Sequence, residues 1–130
     1  MKVVVCGSYG DLETFCEVLE KERQEFGKEN VFPTDDHLRE SQICIEAHHL
    51  GKGETRKTVE QRAMLMQRYF DHIDEADLVV VVNEKKGQEH YGIGTMMEVG
   101  YAFAIGKNMN FIRVVTDSNV RSLLNLMRKG

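Results

Sequence analysis

Apolar residues in this chain fall into short continuous runs separated by stretches of helical spacing. The runs at residues 3–6, 78–82 and 111–115 are rich in valine and contain almost no polar positions. Such a run is typical of a strand that is covered on both faces of a sheet. We expect these three strands to be parallel neighbours, and Val31 and Phe32, stopped by Pro33, predict a shorter one.

Between these runs, apolar residues recur every three or four positions, which predicts four amphipathic helices. The first is expected to end near Gly27 and the third to cover residues 95–105. Apolar positions of the first, second and fourth helices are Leu12, Phe15, Cys16 and Leu19; Val59, Ala63, Met66, Phe70 and Ile73; and Val120, Leu123, Leu124 and Met127.

Two segments lack a clear period. In residues 33–53, Asp35-Asp36 and the glycines at 51 and 53 are typical of loop, and residues 43–45 fit either a short strand or one helical turn. The helical period returns at Glu54. Residues 84–94 predict a glycine-bearing loop.

The alternation of strands and helices predicts the fold class. It implies an α/β fold, a flavodoxin-like or Rossmann-like doubly wound parallel sheet of four to five strands with helices on both faces. A length of 130 residues suits one domain spanning 1–130. Ligands of such sheets bind at the carboxyl ends of the strands. The crevice should therefore lie between residues 7–10 and residues 83–98.

The composition of the chain limits which binding partners and which cellular compartment we expect. A net charge of −4 argues against nucleic-acid binding, and no apolar run approaches the roughly 18 residues of a membrane span. Cys6, Cys16 and Cys44 form no C-x-x-C motif and follow no export signal, which favours free thiols in the cytoplasm. His48 and His49 are adjacent, and no histidine shows ligand spacing. We therefore expect solvated or hydrogen-bonded histidines and no metal or cofactor.

The turn after the first strand suits an anion. Gly7, Ser8, Tyr9 and Gly10 lead from a strand into a helix, where backbone N–H groups and the helix dipole favour negative charge. The simpler alternative is a glycine turn whose next residue, Asp11, caps the helix. Lys85 or Lys86 could guard an anionic ligand.

Glu98 is the candidate nucleophile. It lies in a helix that is apolar nearly all round, where a partly desolvated carboxylate can attack an electrophilic carbon. The alternative is a capping box, in which Glu98 bonds the backbone N–H of Thr95.

Several segments resemble the nucleoside 2-deoxyribosyltransferase superfamily, which includes 5′-nucleotide N-glycosidases. They are residues 98–102, Glu-Val-Gly-Tyr-Ala, followed by Gly-Lys at 106–107, and the strand entry at 76–82. Residues 6–8, Cys-Gly-Ser, are similar to the turn with which the nucleotide hydrolases hold the 5′-phosphate. The loop at 83–91 is similar to small uncharacterised members.

The resemblance implies cleavage or transfer of an N-glycosidic bond in a nucleoside or nucleotide. Glu98 would attack C1′, the base would depart, and water or a second base would resolve the glycosyl-enzyme. Asn83 would orient the substrate. Crevice position and resemblance together imply the substrate-binding residues Gly7, Ser8, Tyr9, Gly10, Asn83, Tyr91, Gly92 and Gly94.

The chain departs from the superfamily pattern at two positions. Tyr69 stands where many members carry an aspartate, and Tyr91 and Gly92 lie where transferases carry another. Proton donation to the leaving base would then fall to Tyr69, Tyr91 or His90. The alternative function is a non-catalytic nucleotide-binding module that has lost the acidic partners. A response regulator is disfavoured, because Asn83 stands where a phosphoacceptor aspartate is wanted.

The long central helix predicts self-association. Met64 and Met66, beside Tyr69 and Phe70, give this helix more apolar surface than one sheet face can cover. We expect a homodimer or larger homo-oligomer.

Overall fold

The computed structural model describes residues 1–49 and 56–129. The strands are β1 (Val3–Gly7), β2 (Val31–Phe32), β3 (Leu78–Val82), β4 (Glu84–Lys85), β5 (Gln88–Glu89) and β6 (Met109–Phe111). The helices are α1 (Leu12–Phe26), α2 (Asp35–His49), α3 (Arg56–Glu75), α4 (Ile93–Ala104) and α5 (Ser118–Lys129). Searching the described ranges found no helix with the length and apolar character that a membrane span requires.

The main sheet is parallel throughout the described residues. Its strand order is β2-β1-β3-β6, with β1 and β3 paired from Val3–Leu78 to Gly7–Val82. This order confirms the predicted α/β architecture and the parallel pairing of the three valine-rich runs.

Alternate residues of β1 build two core layers on opposite faces of the sheet. Val3 and Val5 pack in a cluster with Phe15 of α1, and Val4 and Cys6 pack in a cluster with residues of α3 and α4. All four strand residues are at most 2% exposed. Helices therefore cover both faces, and each buried valine stabilises the fold by about 1.5–3 kcal/mol relative to an exposed one.

The loop expected at Asp35-Asp36 is instead the first turn of α2. Thr34 starts the helix, because its hydroxyl accepts a hydrogen bond from the His37 N–H at 3.1 Å. The apolar period is weak here, and Ile43, one of the few apolar residues of α2 whose side chain the structure describes, is 55% exposed. Residues 43–45 are helical, and the predicted loop at 51–53 and helix start at Glu54 lie outside the described residues.

Strand β6 begins and ends earlier than the predicted run at 111–115. Asn83 ends the strand, since its side chain accepts from the Arg113 N–H at 2.9 Å and donates to the Arg113 carbonyl at 3.2 Å. Val114, part of the predicted strand, is 84% exposed. Hydrogen bonds from the Asn83 side chain to the backbone of residue 113 therefore take the place of the next backbone pairing between β3 and β6.

The predicted loop at 84–94 contains a small antiparallel hairpin, β4–β5. Lys86 and Gly87 form its two-residue turn with φ values of 51° and 78°. A two-residue turn whose twist matches that of the two hairpin strands requires a positive φ at both of its residues. This hairpin reaches back toward the β1–α1 turn, where the Lys86 N–H donates to Asp11 at 3.0 Å.

Candidate active site

The candidate site lies at the carboxyl ends of β1 and β3, the central strands of the sheet. From β1 the chain moves to β2 on one side, and from β3 it moves to β6 on the other. The strand order therefore reverses between β1 and β3, which is the place where parallel α/β sheets bind ligands. The two predicted segments meet there: a Cβ added at Gly92 would lie 3.6 Å from the Ser8 hydroxyl oxygen.

Glu98 is buried in the second turn of α4 and is only 5% exposed. Burial raises the pKa of its carboxyl to about 8, and the neighbouring Cys6 thiol opposes part of that rise. The capping-box alternative is wrong, because α4 begins at Ile93 with Gly92 as its N-cap. Thr95 is therefore inside the first turn and cannot be the capping partner of Glu98.

Two phenols lie beside the Glu98 carboxyl. The Tyr69 hydroxyl donates to the Val5 carbonyl at 3.1 Å, so the Tyr9 hydroxyl, 2.8 Å away, donates to Tyr69. Burial, with a smaller contribution from the Glu98 charge, raises the pKa of both phenols well above the ordinary value. The structure thus brings Tyr69 and Glu98 together, with the Tyr69 proton held by the backbone of β1.

The β1–α1 turn contains the helix cap that was the simpler alternative for it. Asp11 caps α1 by accepting from the Thr14 N–H at 3.3 Å, which confirms the capping interpretation. Ser8 accepts from the Gly10 N–H at 3.2 Å, and a Cβ added at Gly10 would lie 3.2 Å from the Lys85 ammonium. The turn therefore lies beneath a cation from the hairpin, an arrangement that favours an anionic group there.

The glycines of the site differ in what they do. A Cβ at Gly7 would lie 2.8 Å from the Val82 Cβ, so this glycine is needed for the close packing of β1 against β3. Gly92 is the N-cap of α4, and no side-chain hydrogen bond caps the helix there. Gly94 packs near Met66, since a Cβ added at Gly94 would lie 3.5 Å from the Met66 methyl carbon. Gly92 is thus the glycine that brings the start of α4 against Ser8.

Asn83 and Tyr91 hold the hairpin in place. Asn83 is fully buried, and both N–H groups of its side-chain amide are in use, one on Arg113 and one on the Tyr91 hydroxyl at 3.1 Å. Tyr91 donates to Glu89 at 2.7 Å, and burial raises its pKa to about 12. In this arrangement, neither residue presents an uncommitted polar hydrogen to the crevice.

Glu89 joins the hairpin to another segment through hydrogen bonds, a role that the sequence pattern did not indicate. Its carboxylate accepts hydrogen bonds from Tyr91, from the Thr116 hydroxyl and N–H, and from the Asp117 N–H. The Thr116 and Tyr91 hydrogen bonds lower the pKa of Glu89 to about 2. The hairpin is therefore tied to the segment after β6.

His37 corrects the expectation that the histidines are solvated or hydrogen-bonded. It is 3% exposed, and its Nδ1 atom has no hydrogen-bond partner within residues 1–49 and 56–129. Its ring packs edge-on to Phe32 and Tyr69 at centroid distances of 4.7 and 5.1 Å. Burial lowers the pKa of His37 to about 4. Among the described residues, no three His, Cys, Asp or Glu side chains are placed to hold a metal ion.

Comparisons of this chain with protein-family models and with curated proteins found no match. The likeness of the Glu98 and Ser8 segments to the nucleoside 2-deoxyribosyltransferase superfamily therefore stays a prediction. What the structure adds is that the turn at Ser8 and the start of α4, the helix that carries Glu98, lie next to each other at the carboxyl ends of β1 and β3.

Proposed function

We propose that this protein cleaves or transfers the N-glycosidic bond of a nucleoside or 5′-nucleotide, with Glu98 as the nucleophile. The observation that supports this function best is a carboxyl group only 5% exposed at the switch point of a parallel sheet. Burying an acid there destabilises the fold, and such perturbed groups concentrate at functional sites.

The proposed reaction has two displacements at C1′. The Glu98 carboxylate attacks C1′ and forms a C–O bond, while the C–N bond breaks and its electron pair leaves with the base. Water or a second base then attacks C1′, and the carboxylate departs. Two inversions give net retention at C1′. The departing base needs a hydrogen bond or a proton. The Tyr9 hydroxyl would supply it by exchanging its hydrogen bond to Tyr69 for one to the base, because the Tyr69 proton is held by the Val5 carbonyl.

The position of the Lys85 ammonium next to Gly10 in the β1–α1 turn supports a 5′-nucleotide as a better substrate than a nucleoside. A phosphate at Ser8 and Gly10 would gain a charge-assisted hydrogen bond from Lys85. We expect Lys85→Met to raise KM for a nucleoside 5′-monophosphate about 10-fold or more, with little change for the matching nucleoside.

Lys86→Met is the matched control for this experiment. The contact of Lys86 with Asp11 is made by its backbone N–H, which the substitution keeps. Steady-state kinetics of base release on the nucleotide and nucleoside should separate the two variants. Equal KM changes on both substrates in Lys85→Met would contradict phosphate binding at this turn.

The alternative function is nucleotide binding without catalysis. Two features of the site favour it: burial raises the pKa of Glu98 to about 8, which favours the protonated carboxyl at neutral pH, and the Tyr69 hydroxyl donates to the Val5 carbonyl. Calorimetric binding of nucleotides together with chromatography for free base distinguishes the two functions. Binding with no base released from any nucleoside or nucleotide would select the binding module.

We also propose that the protein is a homodimer or larger homo-oligomer through α3. Val59 and Met64 on this helix are 48% and 57% exposed, whereas Met66 is half-buried and Tyr69 is buried. Removing such side chains from water favours association of two copies. Light scattering at micromolar concentration should give at least twice the chain mass, and Met64→Glu should lower it. A monomeric mass for the unmodified protein would contradict this proposal.

A further inference from the structure

The two oxygens of the Asp11 carboxylate, at the start of α1, bond to different parts of the chain. Its Oδ1 atom accepts from the Thr14 N–H at 3.3 Å, which is the bond that caps the helix. Its Oδ2 atom accepts from the Thr14 hydroxyl at 2.8 Å and from the Lys86 N–H at 3.0 Å. A helix cap requires only bonds within its own first turn, so the bond to Lys86 has a different role.

The Lys86 bond holds the tip of the β4–β5 hairpin. Lys86 and Gly87 form the turn at this tip, and among the residues that the structure describes they make no other hydrogen bond to anything outside the hairpin. The base of the hairpin is held separately, since Glu89 accepts hydrogen bonds from the segment after β6. Asp11 is therefore the group that fixes the tip against the β1–α1 turn.

Lys85, next to the tip, has an ammonium without an acidic partner. A Cβ added at Gly10 would lie 3.2 Å from the Lys85 Nζ and 3.2 Å from the Ser8 hydroxyl oxygen. Within the described part of the chain, this ammonium makes no hydrogen bond and no ion pair. A lysine carries its charge on a flexible four-carbon stem, so the place of its ammonium depends on where its backbone is held.

We propose that Asp11 is a positioning residue for a phosphate: by holding the Lys86 N–H, it keeps the Lys85 ammonium next to the β1–α1 turn. This role rests on the phosphate site of the proposed function. Asp11 acts through the hairpin and not on the phosphate itself, because both of its oxygens already accept hydrogen bonds from protein groups.

The charge of Asp11 gives this proposal a distinctive sign. Hydrogen bonds from Lys86 and Thr14 lower the pKa of Asp11, so the group is a carboxylate at neutral pH. A carboxylate repels a nearby phosphate, and removing its charge alone should therefore strengthen phosphate binding. Release of the hairpin tip should weaken phosphate binding instead, so the two effects of a substitution have opposite directions.

Two substitutions separate the hairpin bond from the cap. Asp11→Asn and Asp11→Ser both keep a good N-cap residue, but each has one oxygen in place of two to accept from the Thr14 and Lys86 N–H groups. Amide hydrogen exchange by NMR shows which of the two bonds each variant keeps. Glu13→Gln is the matched control, since Glu13 is an exposed acid in the first turn of the same helix and has no hydrogen bond to the hairpin.

The measurement is an NMR titration with inorganic phosphate, followed at the Gly10 amide. In an Asp11 variant whose Lys86 amide exchanges faster, the dissociation constant for phosphate should rise about 5-fold or more. Glu13→Gln should bind phosphate as tightly as the unmodified protein or more tightly. In a Lys85→Met background, the Asp11 substitution should cause no further weakening, because Asp11 acts through Lys85.

Several results would overturn the proposal. They are faster Lys86 exchange with an unchanged or smaller dissociation constant, unchanged Lys86 exchange in both Asp11 variants, and an equal weakening with and without Lys85. Absence of any phosphate effect at Gly10 in the unmodified protein would overturn it as well. The titration needs no catalysis, so a protein that bound phosphate but released no base would contradict the N-glycosidic reaction and leave the role of Asp11 standing.

Discussion

Replacing Glu98 with glutamine should abolish base release and leave the fold and ligand binding nearly intact. Glutamine has the same shape but no anionic oxygen, so it cannot form the C–O bond to C1′. Loss of a nucleophile commonly costs about 10⁴-fold or more in kcat. Chromatography of the free base from a nucleotide, with calorimetry of nucleotide binding, measures both halves of this prediction.

Glu20→Gln is the matched control, because Glu20 is an exposed acid on α1, which covers the opposite sheet face from α4. It should keep full turnover. Full turnover in Glu98→Gln would remove Glu98 as the nucleophile, whatever the substrate.

The second large effect is a change in stability with pH. The pKa of Glu98 is about 8 in the folded protein against an ordinary value of 4.5, so between these values the folded state binds the proton that the unfolded state has lost. The contribution of Glu98 to stability therefore falls as pH rises from about 4.5 to 8 and then levels off. Glu98→Gln removes this cost, and its advantage over the unmodified protein should reach roughly 3–5 kcal/mol above pH 8.

Urea unfolding at several pH values from 5 to 9 measures this advantage. His37 and Glu89 act in the opposite direction, since their lowered pKa values of about 4 and about 2 make stability fall as pH falls. Both are present in the two proteins, so their effects cancel in the difference. A difference in unfolding free energy that does not vary from pH 5 to 9 would contradict the burial of Glu98 as an acid.

The architecture could be predicted because the strands of the main sheet are buried on both faces. That environment produces short continuous runs of β-branched residues such as 78–82. Helix α2 could not be predicted in the same way, since its apolar period is weak and Ile43 is exposed. The end of β6 depends on the Asn83 side chain, which is distant in sequence, and local apolar pattern gives no sign of it.

The candidate site was predictable only in part. Ser8 and Glu98 follow from glycine turns and from a carboxylate in an apolar helix. Cys6 has the pattern of a small core residue in a valine strand, and it comes to lie near Glu98 only when β1 and α4 pack together. One signal could have found it: a polar atom at the carboxyl end of a strand that leads into the crevice.

Trapping the glycosyl-enzyme tests the central claim most directly. The probe is a 5′-nucleotide with fluorine at C2′ of its sugar, which destabilises the positive charge that develops at C1′ and slows release of the intermediate. Peptide mapping by mass spectrometry should place the sugar adduct on Glu98, with one base released per adduct and no adduct in Glu98→Gln. Release of base with an adduct on another residue, or no adduct and no base at any pH from 6 to 9, would contradict a Glu98 nucleophile.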